Sequence, residues 1–162
     1  MLVSARYRPN IIKEYEYWWL LTSEYQVPHL GRCYAWWKDR HDGEGEGLPL
    51  CSLPQQALSE CFQTVFLDVM KACGALGHQT NKYGTEFLLN TAYLANERLY
   101  HNAHMHVHFI PRFKHAFRTP QLGIRSEDSL WGKHYDRVLA HHEMLQEYKR
   151  KALNEIVAEA IA

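Results

Sequence analysis

Three histidines alternate with apolar residues in the segment His104-Met105-His106-Val107-His108, and no other feature of the chain constrains its fold as strongly. In a β-strand, side chains two residues apart project from the same face, so His104, His106 and His108 form a row. Met105 and Val107 then face the other way, where their apolar side chains predict a hydrophobic core. The spacing therefore predicts a strand that is buried on one face and lined with imidazoles on the other.

This row of imidazoles allows three chemical interpretations. Each ring carries two nitrogens that need hydrogen-bond partners once water is excluded, so the row is expected to line a pocket. In the first interpretation, one imidazole attacks phosphorus while its neighbours supply orientation and protons. In the second, the row binds zinc, copper or iron, because histidines at i and i+2 of a strand can converge on a metal. In the third, the histidines occupy a solvated face.

The size and charge of the chain narrow its class. A length of 162 residues supports one domain with a substantial core. Lys and Arg together number 18, as do Asp and Glu, so no overall basic field attracts a nucleic-acid polymer or an acidic membrane surface. No apolar run approaches the roughly 20 residues that span a bilayer, and residues 1–10 lack the apolar segment of a secretory signal. We therefore expect a cytoplasmic protein without membrane or nucleic-acid partners.

The cysteines indicate a reduced protein. They are widely spaced, form no Cys-x-x-Cys pair, and lie in a chain long enough to fold without disulfides. We expect free and mostly buried thiols at Cys33, Cys51, Cys61 and Cys73.

Composition and periodicity predict four strands. Aromatic and β-branched residues predict two early strands, residues 11–22 and 33–38, which pair as a hairpin. A short strand is predicted at residues 85–91. The strand that carries the histidine row is predicted at residues 103–110, where Pro111 stops it because proline cannot donate a ladder hydrogen bond.

Helices are predicted in two places. Apolar residues recur at steps of three and four over residues 54–76, and Ser52 with Gln55 matches a capping box at the start of this principal helix. Residues 113–131 give no clear element. Apolar residues spaced among Lys, Glu and Arg over residues 135–160 predict one long helix or two, whose apolar stripe packs on the domain or on a partner subunit.

The residues around the row resemble a known family. Residues 102–112, Asn-Ala-His-Met-His-Val-His-Phe-Ile-Pro-Arg, are similar to the His-x-His-x-His signature of the histidine-triad (HIT) superfamily, including its trailing Pro-Arg. Residues 30–38, Leu-Gly-Arg-Cys-Tyr-Ala-Trp-Trp-Lys, are similar to the Gly-His-x-x-x strand of that family. The resemblance extends over residues 15–113, and residues 128–136 resemble the tail of a prokaryotic HIT-like subgroup, the diadenosine polyphosphate hydrolase-like proteins.

The resemblance implies a fold and an assembly. It implies an α+β, HIT-like fold in which an antiparallel sheet of about five strands carries one principal helix and a C-terminal helical extension. Residues 1–113 would form the nucleotide-binding domain. Residues 114–162 would form the extension, irregular and then helical, packed on the same domain or on a dimer partner. Because members of the family usually pair through the helix and an edge strand, the resemblance also implies a homodimer.

The resemblance further implies a reaction. The middle histidine of the family is the nucleophile, so His106 would attack an α-phosphate and form a nucleotidyl-imidazole intermediate. His104 and His108 would orient that ring and hydrogen-bond the phosphate oxygens and the leaving group. The implied substrate is a dinucleoside polyphosphate or a nucleoside phosphoramidate. No metal is required for the nucleophile, although Mg²⁺ would accompany a polyphosphate chain.

Four further residues are candidates for substrate binding. Asn90 resembles a phosphate or ribose contact of the family, or else serves as a turn residue, and His101 would line the mouth of the pocket. Arg32 stands where the family commonly has histidine, and it either binds phosphate through its bidentate guanidinium or forms an ordinary ion pair. Arg112 either holds a phosphate or is structural. Since Arg32 removes a possible proton carrier, a nucleotide-binding module without catalysis remains an alternative, as does a transition-metal-binding protein.

Other side chains near these motifs allow weaker interpretations. Ser23 and Gln26 lie where ribose contacts tend to occur in the family. Four tryptophans offer a stacking face for a base, but adjacent residues of a strand point to opposite faces, so at least one of each pair is expected in the core or an interface. These tryptophans are Trp18, Trp19, Trp36 and Trp37.

Overall fold

A five-stranded antiparallel sheet forms the centre of this computed structural model. The structure describes residues 7–38, 50–77, 80–81, 84–85, 87–94, 105–129, 131 and 143–162. Its strands are β1 (Ile11–Glu14), β2 (Trp18–Thr22), β3 (Tyr25–Val27), β4 (Cys33–Trp37), β5 (Thr80–Asn81), β6 (Gly84–Thr85), β7 (Phe87–Leu94), β8 (His106–Phe113), β9 (Phe117–Thr119), β10 (Ile124–Ser126) and β11 (Glu143–Met144). The central sheet has the order β1-β2-β4-β8-β7, and the other described strands form three two-stranded pairs.

A helical run crosses one face of this sheet. It consists of α1 (Gln55–Ser59), a π-helical segment (Glu60–Val65) and α2 (Phe66–Ala75), which confirms the principal helix predicted at residues 54–76. The predicted capping box is wrong, because Pro54, with a ψ of 142°, is the N-cap residue of α1 and no side-chain hydrogen bond caps this helix.

The apolar stripe of the helical run packs on the sheet. Val69 of α2 belongs to the same fully buried cluster as Leu20 of β2 and Phe109 of β8. The indole N–H of Trp18 donates a 2.8 Å hydrogen bond to the carbonyl of Ala57, which fixes β2 against α1. The helical run therefore covers this face of the sheet, and the histidines of β8 lie on the opposite face. The molecule has the predicted α+β class.

The first predicted strand, residues 11–22, is two strands in the structure. β1 and β2 are antiparallel neighbours joined by a turn. The carboxylate of Glu60 accepts hydrogen bonds from the backbone N–H groups of Glu16 (2.9 Å) and Tyr17 (2.7 Å), which satisfies two donors that the turn leaves without a strand partner. The prediction of strand structure is confirmed and that of one unbroken strand is wrong. β2 then pairs with β4, and β3 lies in the connection between them.

Pro111 does not stop the histidine strand. β8 continues through Pro111 to Phe113, paired with β7 along its whole length, whereas β4 accompanies it only as far as Phe109. Past that residue none of the described strands pairs with this side of β8, so a proline can be accommodated there. The carbonyl of Pro111 accepts a 3.0 Å hydrogen bond from Nδ1 of His29.

The C-terminal part packs on the same chain. β9 and β10 form a hairpin within residues 113–131, where no element was predicted. β11 pairs with β3. Of the one or two helices predicted at residues 135–160, α3 (Glu147–Ile161) confirms the later part, while residues 135–142 lie outside the described residues. The apolar stripe of α3 joins the cluster under the sheet. Of the two alternatives for the apolar stripe, packing on its own domain is therefore the one observed. The domain boundary after residue 113 stays a prediction.

The four cysteines are free thiols, as predicted. Cys33, Cys61 and Cys73 are buried and Cys51 is exposed. Burial raises the pKa of the Cys33 thiol to about 12, which keeps it protonated and unreactive at neutral pH. Within the described part of the chain, no helix combines the length and the apolar character that a membrane crossing requires.

Candidate functional site

β8 carries two of the three predicted histidines on the face of the sheet that the helices leave open. Its register places His106 beside Trp36 and His108 beside Tyr34 of β4. His106 is half-buried, and His108 retains only 4% of its exposure. Val107, between them, is fully buried against the helices, so the predicted alternation is confirmed for this part of the strand. Outside the described residues lie two predicted site residues, His101 and His104.

The imidazoles of His106 and His108 are joined in a chain that ends at Arg32. Their Nε2 atoms lie 3.1 Å apart, and an Nη2 of Arg32 lies 3.4 Å from Nδ1 of His108. A guanidinium can only donate, so Nδ1 of His108 accepts and the proton of the neutral ring resides on Nε2. That proton points at Nε2 of His106, which accepts it with its lone pair and carries its own proton on Nδ1. The order of donation is therefore Arg32 to His108 to His106.

Aromatic side chains hold the two imidazoles. Trp36 stacks on His106 with ring centroids 5.8 Å apart and planes inclined by 20°. Tyr34 stands edge-on to both histidines, with centroids 5.9 Å from His106 and 4.7 Å from His108. The hydroxyl groups of Tyr34 and Ser23 share a 2.6 Å hydrogen bond, which fixes the phenol. Sequence reasoning missed Tyr34, although the predicted pairing of residues 33–38 in the same sheet was a signal for it.

The loop before β4 positions Arg32. Gly31 adopts φ of +94°, a left-handed conformation that favours glycine, and the space for a Cβ is occupied by Cys73 Sγ at 3.1 Å. The side chain of Gln26 donates to the carbonyls of Ser23 (2.7 Å) and Arg32 (2.8 Å) and accepts from the N–H of Gly31 (2.8 Å). Fully buried, Gln26 organises this loop, and this placement favours a structural role over the ribose contact considered above.

Arg112 follows His108 by four residues in β8, and its guanidinium forms an ion pair with Asp128. Nε donates to Oδ2 in a short contact and Nη2 donates to Oδ1 at 3.3 Å, and the side chains are 4% and 1% exposed. A buried and bidentate ion pair of this kind is a structural link between β8 and the segment that follows β10. It favours the structural alternative for Arg112. Because Asp128 lies outside the histidine motif, nothing in the motif itself pointed to it.

His29 completes the buried polar group around this end of β8. It retains 1% of its exposure and bonds to Pro111. Burial lowers the pKa of His29 to about 4, with Arg112 and Arg32 acting in the same direction and Asp128 against them. His29 is therefore neutral at physiological pH. Only the backbone position of Asn90 is described, opposite Ile110 in the β7–β8 register.

The described side chains offer elements of nucleophilic chemistry. Within the described residues, which do not include His104, no group of three or more His, Cys, Asp or Glu side chains is placed to hold a metal ion. The arrangement offers one imidazole nitrogen with a lone pair, a neighbouring N–H aimed at it, and a guanidinium behind that N–H. These are the elements that attack on phosphorus requires: a nucleophile, a hydrogen-bond donor and a positive charge.

The sequence and the structure were compared with known proteins. No protein-family model matches the sequence, and no curated protein matches it. Among solved structures, the chain is similar to a zinc-bound histidine triad family protein from Mycobacterium smegmatis, with 14% sequence identity over 93% of this chain and 82% of that chain. The TM-score is 0.49. A likeness this distant says nothing about activity, so the function has to be inferred from the site.

Proposed function

We propose that the protein is a nucleotidyl hydrolase or transferase of the histidine-triad type that acts through a nucleotidyl-histidine intermediate at His106. Its substrate is a dinucleoside polyphosphate or a nucleoside phosphoramidate. The observation that carries the proposal is the 3.1 Å contact between Nε2 of His106 and Nε2 of His108. This contact supports His106 as the nucleophile, because the lone pair of its Nε2 becomes available to phosphorus once the N–H of His108 turns to another acceptor.

The reaction begins when a phosphate oxygen replaces His106 as the acceptor of the His108 N–H. Nε2 of His106 then attacks the α-phosphorus, the bond to the leaving group breaks, and a nucleotidyl-imidazolium forms. Water or another acceptor displaces the imidazole in a second step and releases the nucleotide. His108 stabilises the negative charge on the phosphate oxygens in both steps, and Trp36 keeps the ring of His106 in line.

The remaining predicted residues have supporting roles in this proposal. His104 orients the His106 ring, and Asn90 and His101 contact the substrate. Arg32 contributes positive charge beside His108. We assign Arg112 to the structure of the site, since Asp128 already occupies its guanidinium.

We also propose the metal requirement, the assembly and the location of the enzyme. The nucleophile needs no metal, and Mg²⁺ accompanies the substrate only when that substrate is a polyphosphate. We propose a homodimer in the cytoplasm, with a small-molecule nucleotide as its partner. The balance of 18 basic and 18 acidic residues supports a nucleotide over a nucleic-acid polymer.

Turnover by metal-free protein tests the proposal. Adenosine phosphoramidate and diadenosine tetraphosphate are offered to the wild type and to His106→Asn, and AMP release is followed by chromatography. Asparagine keeps a donor near the position of Nδ1 and removes Nε2, so the variant should lose turnover while still binding nucleotide. Wild type quenched in alkaline denaturant, which preserves the acid-labile P–N bond, should also carry a covalent nucleotidyl group that His106→Asn lacks.

His115→Asn is the matched control, because the same substitution is made at an exposed histidine outside the row. It should leave turnover unchanged. Nucleotide binding without turnover in the wild type would contradict the enzyme and support the nucleotide-binding module. If neither binding nor turnover is found, metal analysis of untagged protein decides whether the row is a transition-metal site, which would replace the proposal.

A further inference from the structure

We propose that Arg32 is a specificity-determining residue that holds His108 in its neutral Nε2–H form, so that the site favours leaving groups that depart as anions over amines. This inference rests on the proposed function and narrows its substrate. It depends on the 3.4 Å contact between the guanidinium of Arg32 and Nδ1 of His108, in a site where both side chains are 4% exposed.

The contact restricts the protonation of His108. An imidazolium carries a proton on each nitrogen, and a proton on Nδ1 would point at a guanidinium that has no lone pair to receive it. Since Arg is protonated at all accessible pH values, it cannot reverse the bond. A histidine in the place of Arg32, as the family commonly has, can either donate or accept. With arginine at this position, Nδ1 of His108 can only accept a hydrogen bond, whereas a histidine there would allow Nδ1 to donate or to accept.

A neutral His108 is a hydrogen-bond donor and a very poor acid. Giving up its only proton would leave an imidazolate, which is a much stronger base than an alkylamine. The pair of His106 and His108 consequently stabilises phosphate oxygens without supplying a proton to the leaving group. An amine must be protonated to leave, whereas a phosphate chain or a phenolate departs with the electron pair of the broken bond.

The proposed steps balance without a proton donor. The lone pair of His106 Nε2 forms the N–P bond, and the electron pair of the P–O bond leaves with the departing oxygen, which becomes a phosphate anion. Water then forms a new P–O bond, the electron pair of the N–P bond returns to His106, and the proton released by water passes to solvent. The positive charge of Arg32, behind His108, favours both anionic species.

A matched set of substrates measures this preference. All three release AMP: diadenosine tetraphosphate, the p-nitrophenyl ester of AMP, and an alkylamine phosphoramidate of AMP. For the wild type, kcat/KM should be about a hundredfold or more higher for the two substrates with anionic leaving groups, the range that a missing general acid costs. The aryl ester distinguishes the effect of leaving-group protonation from the effect of phosphate binding. Its leaving group departs as an anion, but it has no polyphosphate for the guanidinium of Arg32 to bind.

Two substitutions of Arg32 give opposite expectations. Arg32→Lys keeps a side chain that only donates, so the preference should stay within about threefold of the wild type. Arg32→His allows His108 to accept a second proton, and kcat/KM for the phosphoramidate should rise about tenfold or more relative to the aryl ester. An unchanged ratio in Arg32→His overturns the proposal. A loss confined to diadenosine tetraphosphate also overturns it, because Arg32 would then only bind the phosphate chain.

A spectroscopic measurement tests the proposed protonation of His108 without requiring turnover or a variant. Long-range ¹H–¹⁵N correlation spectra of the wild type assign the proton-bearing nitrogen of each imidazole ring. We expect Nε2–H for His108 and Nδ1–H for His106 at neutral pH. A proton on Nδ1 of His108 overturns the role of Arg32 even if the enzyme is active. Absence of turnover in the wild type with the expected tautomers contradicts the proposed function alone.

Discussion

The indole of Trp36 and the imidazole of His106 are cross-strand neighbours that stack with centroids 5.8 Å apart and planes 20° apart. Cross-strand partners on one face of an antiparallel pair are the closest side-chain neighbours in a sheet, so Trp36 restricts the rotation of the His106 ring. Restricting that ring keeps Nε2 directed toward His108 and toward an incoming phosphorus. The tryptophan is therefore a positioning residue for the proposed nucleophile.

Replacing Trp36 with leucine tests this role. We expect kcat to fall about tenfold while KM changes little, because a misaligned nucleophile affects the chemical step more than binding. Loss of the buried indole should also lower the free energy of unfolding by about 2 kcal/mol. Steady-state kinetics with the p-nitrophenyl ester of AMP and urea unfolding measure the two effects.

Trp19→Leu is the matched control. Trp19 pairs with Trp36 across β2 and β4 and belongs to the same small apolar cluster, one strand further from β8. Its loss should destabilise the protein to a similar or smaller extent and leave kcat close to the wild-type value. Equal kinetic losses in the two variants would assign Trp36 to general packing.

Gly31 provides a second prediction. A Cβ at this position would meet Cys73 Sγ at 3.1 Å and Leu76 Cδ1 at 3.2 Å, and φ is +94°. Gly31→Ala should lower the free energy of unfolding by about 2 kcal/mol, since both the backbone conformation and the packing oppose a methyl group. It should also disturb the neighbouring Arg32 and reduce turnover.

Gly74→Ala is the control for Gly31→Ala, because it introduces the same methyl group where neither packing nor backbone conformation opposes it. Gly74 is helical, and a Cβ there meets nothing within 4 Å. Alanine should therefore stabilise the helix by about 0.5 to 1 kcal/mol without affecting turnover. Thermal unfolding of the two variants beside the wild type checks both signs, and a Gly31→Ala protein as stable as the wild type would rule out the proposed strain.

The elements that sequence reasoning found are those specified locally. The side-chain period of a strand is set within a few residues, so the alternation around Val107 predicted which face of β8 is buried. The steps of three and four in residues 54–76 predicted the helix for the same reason. The same local reasoning gave the positions of His106 and His108 on one face before their geometry was known.

What sequence reasoning missed depends on distant partners. Pro111 continues β8 because β4 ends beside Phe109, which cannot be known from the residues around the proline. The turn that divides residues 11–22 relies on Glu60, far away in the chain. The β9–β10 hairpin did leave a local signal, since Pro120 and Gly123 punctuate its turn.

The buried pair of Arg112 and Asp128 gives a third prediction, about stability. Arg112→Met removes the guanidinium that compensates a carboxylate with 1% exposure, so the free energy of unfolding should fall by about 3 to 5 kcal/mol. Asp128→Asn removes the negative charge but keeps an oxygen that can accept from the guanidinium, so its loss should be smaller. Chemical denaturation measures both.

The double variant Arg112→Met/Asp128→Leu is the informative control. It removes both charges, so its loss of stability should be clearly smaller than the sum of the single losses. If Arg112 instead serves mainly as a phosphate ligand, Arg112→Met will weaken nucleotide binding and leave stability near that of the wild type. Additive losses in the double variant would show that the two side chains do not interact.

The protonation of His29 gives the last prediction. An unfolded histidine titrates near its model value of 6.5, whereas burial lowers the pKa of His29 in the folded protein to about 4. Between these values the unfolded state binds more protons than the folded state, so the free energy of unfolding falls as the pH falls from 6.5 to about 4. The full loss from this one group is at most about 3 kcal/mol.

His29→Asn isolates this contribution. The asparagine amide can keep a donor near Nδ1 for the carbonyl of Pro111, but it does not titrate. Urea unfolding of wild type and variant across the pH range should therefore show a smaller decrease in the variant, and the difference between the two curves cancels the titration of the other histidines. Parallel curves would show that the pKa of His29 is the same in the folded and unfolded states, which would contradict the lowering expected from its burial.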